Sequence, residues 1–230
     1  MIVGAGVLGL CAAVELRRRG RSVVVVDPGE TNASAVAAGM IAPAMEAAID
    51  AASPAHAALL RAGRDLWPDF AQAAGIVLAR RPAEWRGGDA AGMAARMRTL
   101  GFQARLDGDR VVTDEDCQVD PGQALAAMRR TLGEAVVAGR VEAVARADDG
   151  WRVTTADRTL DAQALVLATG ADGAPAGLPE AARRLIEAIQ PIRGQIGITK
   201  QSLADHVVRG PGAYVCLLYT SDAADEGLGV

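Results

Sequence analysis

Residues 1–27, MIVGAGVLGLCAAVELRRRGRSVVVVD, decide the fold of this chain. A short β-type run is followed by three glycines in G-x-G-x-x-G spacing: Gly4, Gly6 and Gly9. The next segment has helical periodicity, arginines in its last turn where they suit the helix dipole, and Gly20 as a natural C-cap. The valine run that ends in Asp27 does not alternate with polar residues, so it predicts a buried parallel strand.

Each part of this βαβ unit has a role in binding a dinucleotide. Gly4 allows the tight turn out of the strand, Gly6 removes a Cβ that would block a pyrophosphate, and Gly9 lets helix and strand pack closely. The helix N-terminus offers free N–H groups to the phosphates. Asp27 lies near the spacing expected of an acid that accepts hydrogen bonds from ribose hydroxyls. The pattern does not distinguish NAD from FAD. The alternative is that the glycine turn serves only the packing of an α/β domain and binds no nucleotide.

Composition excludes several classes of protein. Half of the residues are hydrophobic and 23% are charged, which is typical of a chain that buries a core. The net charge of -4 has no long blocks of one sign, so a nucleic-acid partner is not expected. No apolar run is long enough to span a membrane. The three cysteines are odd in number and widely spaced: Cys11, Cys117 and Cys216. We therefore expect neither disulfides nor a metal site. The absence of a disulfide pattern also leads us to expect a cytoplasmic location.

The rest of the chain alternates between predicted helices and strands. Helices are predicted over 55–74, over 88–100 and from Pro121 to about Gly133, and a strand over IVLARRP at 76–82. Within 140–163 we expect two strands around an ADDG turn. These are followed by a buried strand, ALVLATG, at 164–170.

The end of this last strand is a second candidate for the nucleotide site. Ligands of a parallel sheet lie outside the carboxyl ends of its strands, so Thr169 and Gly170 are placed beside the same nucleotide as the glycine loop. The alternative is an ordinary strand-ending turn with glycine at positive φ.

Five motifs appear in an order that resembles a known family. They are IVGAGVLGL at 2–10, ASAVAAGMIAP at 33–43, QVDPGQAL at 118–125, VLATG at 166–170 and PIRGQI at 191–196. This order resembles the FAD-dependent amine and amino-acid oxidases of the D-amino-acid oxidase superfamily. The small-residue block ending in AAGMIAP most resembles the glycine oxidases associated with thiamine biosynthesis. In that block the backbone, not the side chains, would lie against the flavin and its phosphates.

The resemblance implies an α/β fold, with a Rossmann-like FAD-binding domain and an interleaved α+β substrate domain that is incomplete at the C-terminus. The implied FAD-binding segments are 1–78 and 121–186, and the substrate-domain segments are 79–120 and 187–215, with PIRGQI beginning the substrate-domain sheet. Residues 216–230 resemble the translation of a sequencing-library adaptor, so we expect them to be a non-native tail.

The resemblance also implies site residues. FAD contacts are expected at these positions: Gly4, Gly6, Val7, Gly9, Asp27, Ser34, Ala38, Gly39, Met40, Val141, Thr169 and Gly170. Tyr214 matches an aromatic residue that touches the substrate carboxylate, and Glu46 is a candidate for a polar role near the flavin. The arginine that clamps the substrate carboxylate in this family is missing, because neither Arg193 nor Arg209 matches its motif, and the catalytic residues are left unidentified.

The implied reaction is oxidation of a small amine or amino acid, such as glycine or sarcosine, by hydride transfer to flavin N5, with O2 reduced to H2O2. Within the superfamily, a sarcosine-oxidase-like or tRNA-modifying activity is the nearest alternative. An NAD-dependent dehydrogenase and a non-catalytic nucleotide-binding subunit are the alternatives outside it. The short chain is expected to be inactive if the missing segments are required, and the sequence does not determine an oligomeric state.

Overall fold

The structure, a computed structural model, describes residues 1–192, 194–198 and 204–217. The helices are α1 (Val7–Arg18), α2 (Pro43–Ile49), α3 (Pro54–Ala74), α4 (Ala90–Thr99), α5 (Pro121–Leu132), a 3-10 turn (Gly133–Ala135) and α6 (Glu180–Glu187). The strands are β1 (Ile2–Val3), β2 (Val25–Asp27), β3 (Met40–Ile41), β4 (Leu78–Arg80), β5 (Ala83–Trp85), β6 (Arg105–Asp107), β7 (Arg110–Thr113), β8 (Cys117–Val119), β9 (Val136–Ala138), β10 (Val141–Ala147), β11 (Gly150–Thr155), β12 (Thr159–Ala162), β13 (Val166–Leu167), β14 (Val207–Gly210) and β15 (Ala213–Val215).

The chain forms two compact units. Unit 1 consists of 1–37, 72–76 and 121–197, and unit 2 consists of 38–71, 77–120 and the described part of 198–230. The predicted domain partition shares the boundary before residue 121 but assigns 38–71 to the FAD-binding segment. Compactness does not establish which residues bind cofactor or substrate, so the predicted domains stay a prediction.

The central sheet of unit 1 is parallel, in the order β13-β1-β2-β9. Ile2 pairs with Val25 on one side and with Val166 on the other, which makes β1 an inner strand and explains its burial. Because β2 and β13 lie on opposite sides of β1, the strand order reverses at β1. In parallel sheets, ligands bind in the crevice that forms at the carboxyl ends of the strands at such a reversal. The sheet confirms the predicted α/β fold class.

The first helix ends as its sequence predicts. Gly20 has a φ of +71°, and the N–H of Arg21 donates to the carbonyl of Leu16 at 3.0 Å, which is a left-handed glycine cap. Nη1 of Arg17 donates to the carbonyl of Leu132 at 2.7 Å and so ties the last turn of α1 to the end of α5. The predicted helix beginning at Pro121 is confirmed as α5.

The meander of unit 1 has three strands where the sequence predicted two. The strands around the ADDG turn are confirmed as β10 and β11, but β12 then pairs antiparallel with β11. The missed turn contains neither glycine nor proline. It is held instead by Thr155, whose Oγ1 lies 2.8 Å from Oδ1 of Asp157 and accepts the N–H of Arg158 at 3.3 Å.

The prediction of a buried strand over 164–170 was wrong. Only Val166 and Leu167 form β13, and Val166 is 40% exposed. Within the described residues β13 is the edge strand of the sheet, with β1 on one side, so its apolar side chains are only partly covered.

Unit 2 contains two further sheets. Their strand orders are β15-β14-β5-β7-β6 and β3-β8-β4. Methionines from α2 and α4 form much of the core against the larger sheet, together with Trp85 and Phe102. The predicted helices over 55–74 and 88–100 are confirmed as α3 and α4, and the strand over 76–82 as β4.

The described residues of the segment PIRGQI form no strand, so the prediction that it begins a sheet is not confirmed in this part of the chain. Of its residues, 191, 192 and 194–196 lie outside the strands, and Arg193 lies outside the described residues. The segment contains a proline and a glycine, and it lacks the continuous apolar run of a buried strand. Among the helices of the described residues, none combines the length and the apolar character needed to cross a membrane.

Candidate cofactor site

Two glycines of the loop after β1 are fixed by close backbone contacts. Gly4 has a φ of +101°, and a Cβ there would lie 2.3 Å from the carbonyl oxygen of Ala168. A Cβ at Gly9 would lie 2.0 Å from the carbonyl oxygen of Gly4. Neither contact is sterically allowed. The two glycines therefore let the end of β1 approach both the end of β13 and the first turn of α1.

Gly6 has a different role, because its backbone is extended and open to any residue, with φ −73° and ψ −178°. It is the N-cap of α1 and supplies no side chain to that helix end, whose first turn also holds no acidic residue. Within the described residues, a Cβ at Gly6 would meet only Oγ of Ser34, at 3.2 Å. A side chain here would fill the space beside the helix N-terminus, where an anion is stabilised by the free N–H groups.

Ser34 and Val7 meet at this helix end. Oγ of Ser34 accepts the N–H of Val7 at 3.0 Å, so Ser34 caps the first turn of α1 from a distant part of the sequence. The resemblance implied a contact between Ser34 and FAD, and the structure places Ser34 beside Gly6 in the glycine loop.

Asp27 ends β2 as a buried carboxylate that is only 7% exposed. Its Oδ2 accepts the N–H of Ala5, in the glycine loop, at 2.6 Å. Its Oδ1 accepts the N–H of Gly29 at 2.9 Å and a hydrogen bond from Nη2 of Arg129 at 3.2 Å. Asp27 therefore holds the glycine loop, and Arg129 of α5 is a site residue that the sequence prediction missed. A signal was present, because Arg129 lies in the helix that follows QVDPG, but its partner is remote in sequence.

Ala38, Gly39 and Met40 are held together in unit 2 by backbone contacts. Nε2 of Gln118 donates to the carbonyl of Ala38 at 3.0 Å, and the N–H of Val119 donates to the carbonyl of Gly39 at 2.9 Å. Met40 pairs with Gln118 in the antiparallel β3–β8 ladder. Gly39 has a φ of +69°, which favours glycine. Gln118 is a second residue that the sequence prediction missed, although it begins one of the quoted motifs.

The remaining predicted FAD contacts lie in unit 1. Val141 is the first residue of β10 and pairs with Thr155. Ala168, Thr169 and Gly170 follow β13, and a Cβ at Gly170, where φ is +61°, would meet no atom of the described residues within 4 Å. The end of β13 lies against the end of β1, since the backbone N of Thr169 would be 3.4 Å from a Cβ at Gly4. The structure therefore brings the two predicted turns together.

Arg209 contacts both Tyr214 and Glu46, although it does not match the family motif for the substrate-binding arginine. Arg209 of β14 is 8% exposed, and its Nη2 donates to Oε1 of Glu46 at 2.5 Å. Arg209 is the cross-strand partner of Tyr214, with its Cζ 5.8 Å from the centroid of the tyrosine ring. Glu46, Arg209 and Tyr214 therefore form one polar cluster in unit 2.

Asp116 lies near this cluster and is 2% exposed. Within the described residues, neither of its carboxylate oxygens makes a hydrogen bond of normal geometry. Burial raises the pKa of Asp116 to about 7, although the Ala44 backbone N–H and the Arg209 guanidinium favour the charged form.

The residues present fit the dinucleotide that the sequence resemblance implies. The end of α1 offers an anion site without an acidic side chain, and among the described residues the position of Gly170 leaves open space where a side chain would stand. In unit 2, Oε1 of Gln118 is a buried acceptor that has no partner among the described residues. Those residues also hold no group of three or more His, Cys, Asp or Glu placed to bind a metal ion.

Three solved structures with a similar fold are enzymes named for amines or amino acids. Glycine oxidase from Geobacillus kaustophilus matches with a TM-score of 0.71 at 21% identity, covering 94% of this chain and 66% of that one. Iminodiacetate oxidase from Chelativorans sp. BNC1 matches with a TM-score of 0.62 at 20% identity, covering 74% and 55%. L-amino acid deaminase from Proteus vulgaris matches with a TM-score of 0.61 at 18% identity, covering 74% and 46%. At these identities the likeness shows the fold, and the chain spans less than two thirds of each of these structures.

The sequence comparisons give the family. No curated protein matches the chain. Residues 1–225 match the family described as DAO, FAD dependent oxidoreductase, and this match runs into the segment predicted to be a non-native tail. The chain therefore belongs to the DAO family of FAD-dependent oxidoreductases.

Proposed function

We propose that the protein oxidises a small amine or amino acid, of the size of glycine or sarcosine, with O2 as the final electron acceptor. The observation that carries the proposal is the family match over residues 1–225. The built glycine loop supports it, because Gly4, Gly9 and Asp27 are all fixed in place by contacts at the ends of β1, β2 and β13. The oxidases and deaminase of similar fold act on amines or amino acids by their names.

The residues of unit 1 bind and orient the cofactor in this proposal. The N–H groups of the Gly6 turn and of the α1 N-terminus hold the pyrophosphate. Asp27 accepts a hydrogen bond from the adenosine ribose, Val141 contributes backbone to the adenine pocket, and Thr169 with Gly170 line the flavin side. In unit 2, Gln118 keeps the small-residue segment Ala38–Met40 in a fixed conformation by binding the Ala38 carbonyl.

The chemistry follows from the cofactor and the substrate class. FAD, when bound, supplies the acceptor for the Cα hydrogen and passes the electron pair to O2, which becomes H2O2. The amine loses two electrons and its Cα–H and N–H protons to become an imine, and water then converts the imine to a carbonyl compound and a free amine or ammonia. Tyr214, in the Arg209 and Glu46 cluster, binds the substrate carboxylate. A glycine-oxidase role in thiamine biosynthesis and a cytoplasmic location belong to the same proposal.

Purification of the recombinant chain tests this proposal. We expect a yellow protein that releases FAD on denaturation and that forms H2O2 with glycine, sarcosine or D-alanine. A colourless protein that retains NAD would instead identify a nicotinamide dehydrogenase. Flavin retention without peroxide formation from any of the three amines would contradict the substrate class while leaving the cofactor in place.

A further inference from the structure

The carboxylate of Asp27 has few acceptor positions left for a ligand. An ionised carboxylate accepts about four hydrogen bonds, two at each oxygen. Oδ1 already accepts from the N–H of Gly29 and from Nη2 of Arg129, so both of its positions are taken. Among the described residues, Oδ2 accepts only from the N–H of Ala5. Within this part of the chain a single acceptor position, on Oδ2, is therefore free.

Arg129 is the only one of these three donors that is a side chain. It reaches Asp27 from the last turn of α5, and the same Nη2 lies 3.4 Å from the carbonyl of Ala5, which is in the glycine loop. The Arg129 side chain is 35% exposed, whereas that of Asp27 is 8% exposed. A partly exposed arginine is thus one of three donors that hold a buried carboxylate at the end of β2.

A neighbouring ion pair differs from the Arg129–Asp27 pair in how far it is exposed to water. Arg140 and Glu30 join the loops after β9 and β2 at 2.7 Å, but their side chains are 54% and 66% exposed. Such an exposed pair contributes little to orientation, because water competes for both groups. The Arg129 contact is made to a carboxylate that water reaches poorly, so its geometry persists.

We propose that Arg129 is a positioning residue of the cofactor site, which occupies Oδ1 of Asp27 and thereby restricts this carboxylate to one hydroxyl of the adenosine ribose. The inference rests on the proposed function, because it requires a dinucleotide at the glycine loop. It narrows the sequence expectation, an acid that accepts hydrogen bonds from the ribose hydroxyls, to an acid that accepts from one of them because Arg129 occupies the other oxygen.

Flavin affinity of the full chain tests the proposal, with flavin fluorescence anisotropy as the measurement. The probes are FAD and two FAD analogues that lack either the 2′- or the 3′-hydroxyl of the adenosine ribose. We expect one analogue to bind about tenfold more weakly than FAD and the other to bind like FAD, since one charge-assisted hydrogen bond is lost in one case only. Equal weakening with both analogues would overturn the proposal.

Arg129→Met should weaken FAD binding about tenfold and reduce the difference between the two analogues, because Oδ1 becomes free to accept the second hydroxyl. Arg129→Lys should keep part of the preference. Arg130→Met is the matched control, since Arg130 is the exposed next residue of the same helix, and it should behave as wild type. The ratio of the two analogue affinities does not depend on the fraction of protein that is folded. It can therefore be compared with wild type even if a variant is destabilised.

Two results separate this inference from the proposed function. An unchanged analogue ratio in Arg129→Met, with FAD still bound, would overturn the role of Arg129 alone. A wild-type chain that binds neither FAD nor its analogues would overturn the proposed cofactor site, and the positioning role with it.

Discussion

Asp27 and Asp116 are buried carboxylates, one in each compact unit, and their surroundings are opposite. Asp27 accepts two backbone N–H groups and an arginine, so every oxygen has a donor. Asp116 is more deeply buried, yet neither of its oxygens has a hydrogen bond of normal geometry in the described part of the chain. Both aspartates lie close to an arginine, but only Arg129 makes a hydrogen bond to its carboxylate.

The difference shows what a buried acid needs in order to act as a fixed acceptor. Backbone donors around Asp27 replace the water that burial removes, and they simultaneously fix the glycine loop. Without such donors the charged form of Asp116 is disfavoured, which raises the pKa of Asp116 to about 7. Burial alone therefore makes an aspartate titratable near neutral pH, and only the surrounding donors turn it into part of a binding site.

The largest effect is expected from Gly9→Ala, which removes the support of Asp27. A Cβ at Gly9 would lie 2.0 Å from the carbonyl oxygen of Gly4, so the loop that carries the Ala5 N–H must move. We expect a loss of at least about 5 kcal/mol in the free energy of unfolding, comparable with the whole stability of a small domain, together with loss of FAD. Urea unfolding followed by circular dichroism measures the change.

Gly63→Ala is the matched control for this substitution. Gly63 is also a helical glycine, but it is exposed and an added Cβ would meet nothing within 4 Å. This variant should be more stable than wild type by about 0.5–1 kcal/mol. Equal stability of the two alanine variants would show that the close approach at Gly9 is not required.

Asp116→Asn should remove a pH dependence of stability. The unfolded chain releases this proton near the ordinary pKa of 3.8, whereas the folded chain keeps it up to about 7. Stability therefore falls as the pH rises between these values, by on the order of 4 kcal/mol, and stays low above them. Urea unfolding at about pH 5 and about pH 8 should show the part of this fall that lies between these pH values, on the order of 3 kcal/mol, in wild type and not in the variant.

Asp114→Asn tests whether the effect is specific to the buried acid. Asp114 is exposed and lies in the same loop before β8. This variant should keep the pH dependence of wild type. If it flattened the pH dependence as Asp116→Asn does, the assignment to Asp116 would be wrong.

The smallest effect is expected from Arg209→Met. Its partner Glu46 has a side chain that is 43% exposed and can hydrate when the pair is broken, so the loss of stability should be about 1–2 kcal/mol. Because the Arg209 charge favours ionised Asp116, its removal should also raise the pKa of Asp116 and shift the fall in stability to higher pH. Arg209→Lys keeps the charge and should leave the pH of this fall unchanged, and a shift of the same size in both variants would contradict the charge effect.

The sequence predicted the features that depend on short stretches of chain. The glycine spacing, the arginine-rich helix end with Gly20 and the valine run before Asp27 are all local, and the structure confirms the βαβ unit that they predicted. The turn before β12 was missed because Thr155 and Asp157 form it with side-chain hydrogen bonds in place of glycine or proline. The burial of β13 was overestimated because the sequence does not show that it lies at the edge of a sheet.

The rest of the site depends on hydrogen bonds between residues that are far apart in the sequence. Gln118, Arg129 and Arg209 each bind a group about eighty or more residues away, so no local pattern indicates their roles. The sequence by itself determined that a glycine loop, a helix N-terminus and an acid would occur in the order of a dinucleotide site, because backbone conformation and periodicity are properties of neighbouring residues. Only the tertiary structure decided which donors surround each buried acid, because hydrogen bonds form between groups that folding brings together, and those donors distinguish Asp27, which has a donor at each oxygen, from Asp116, which has none of normal geometry in the described part of the chain.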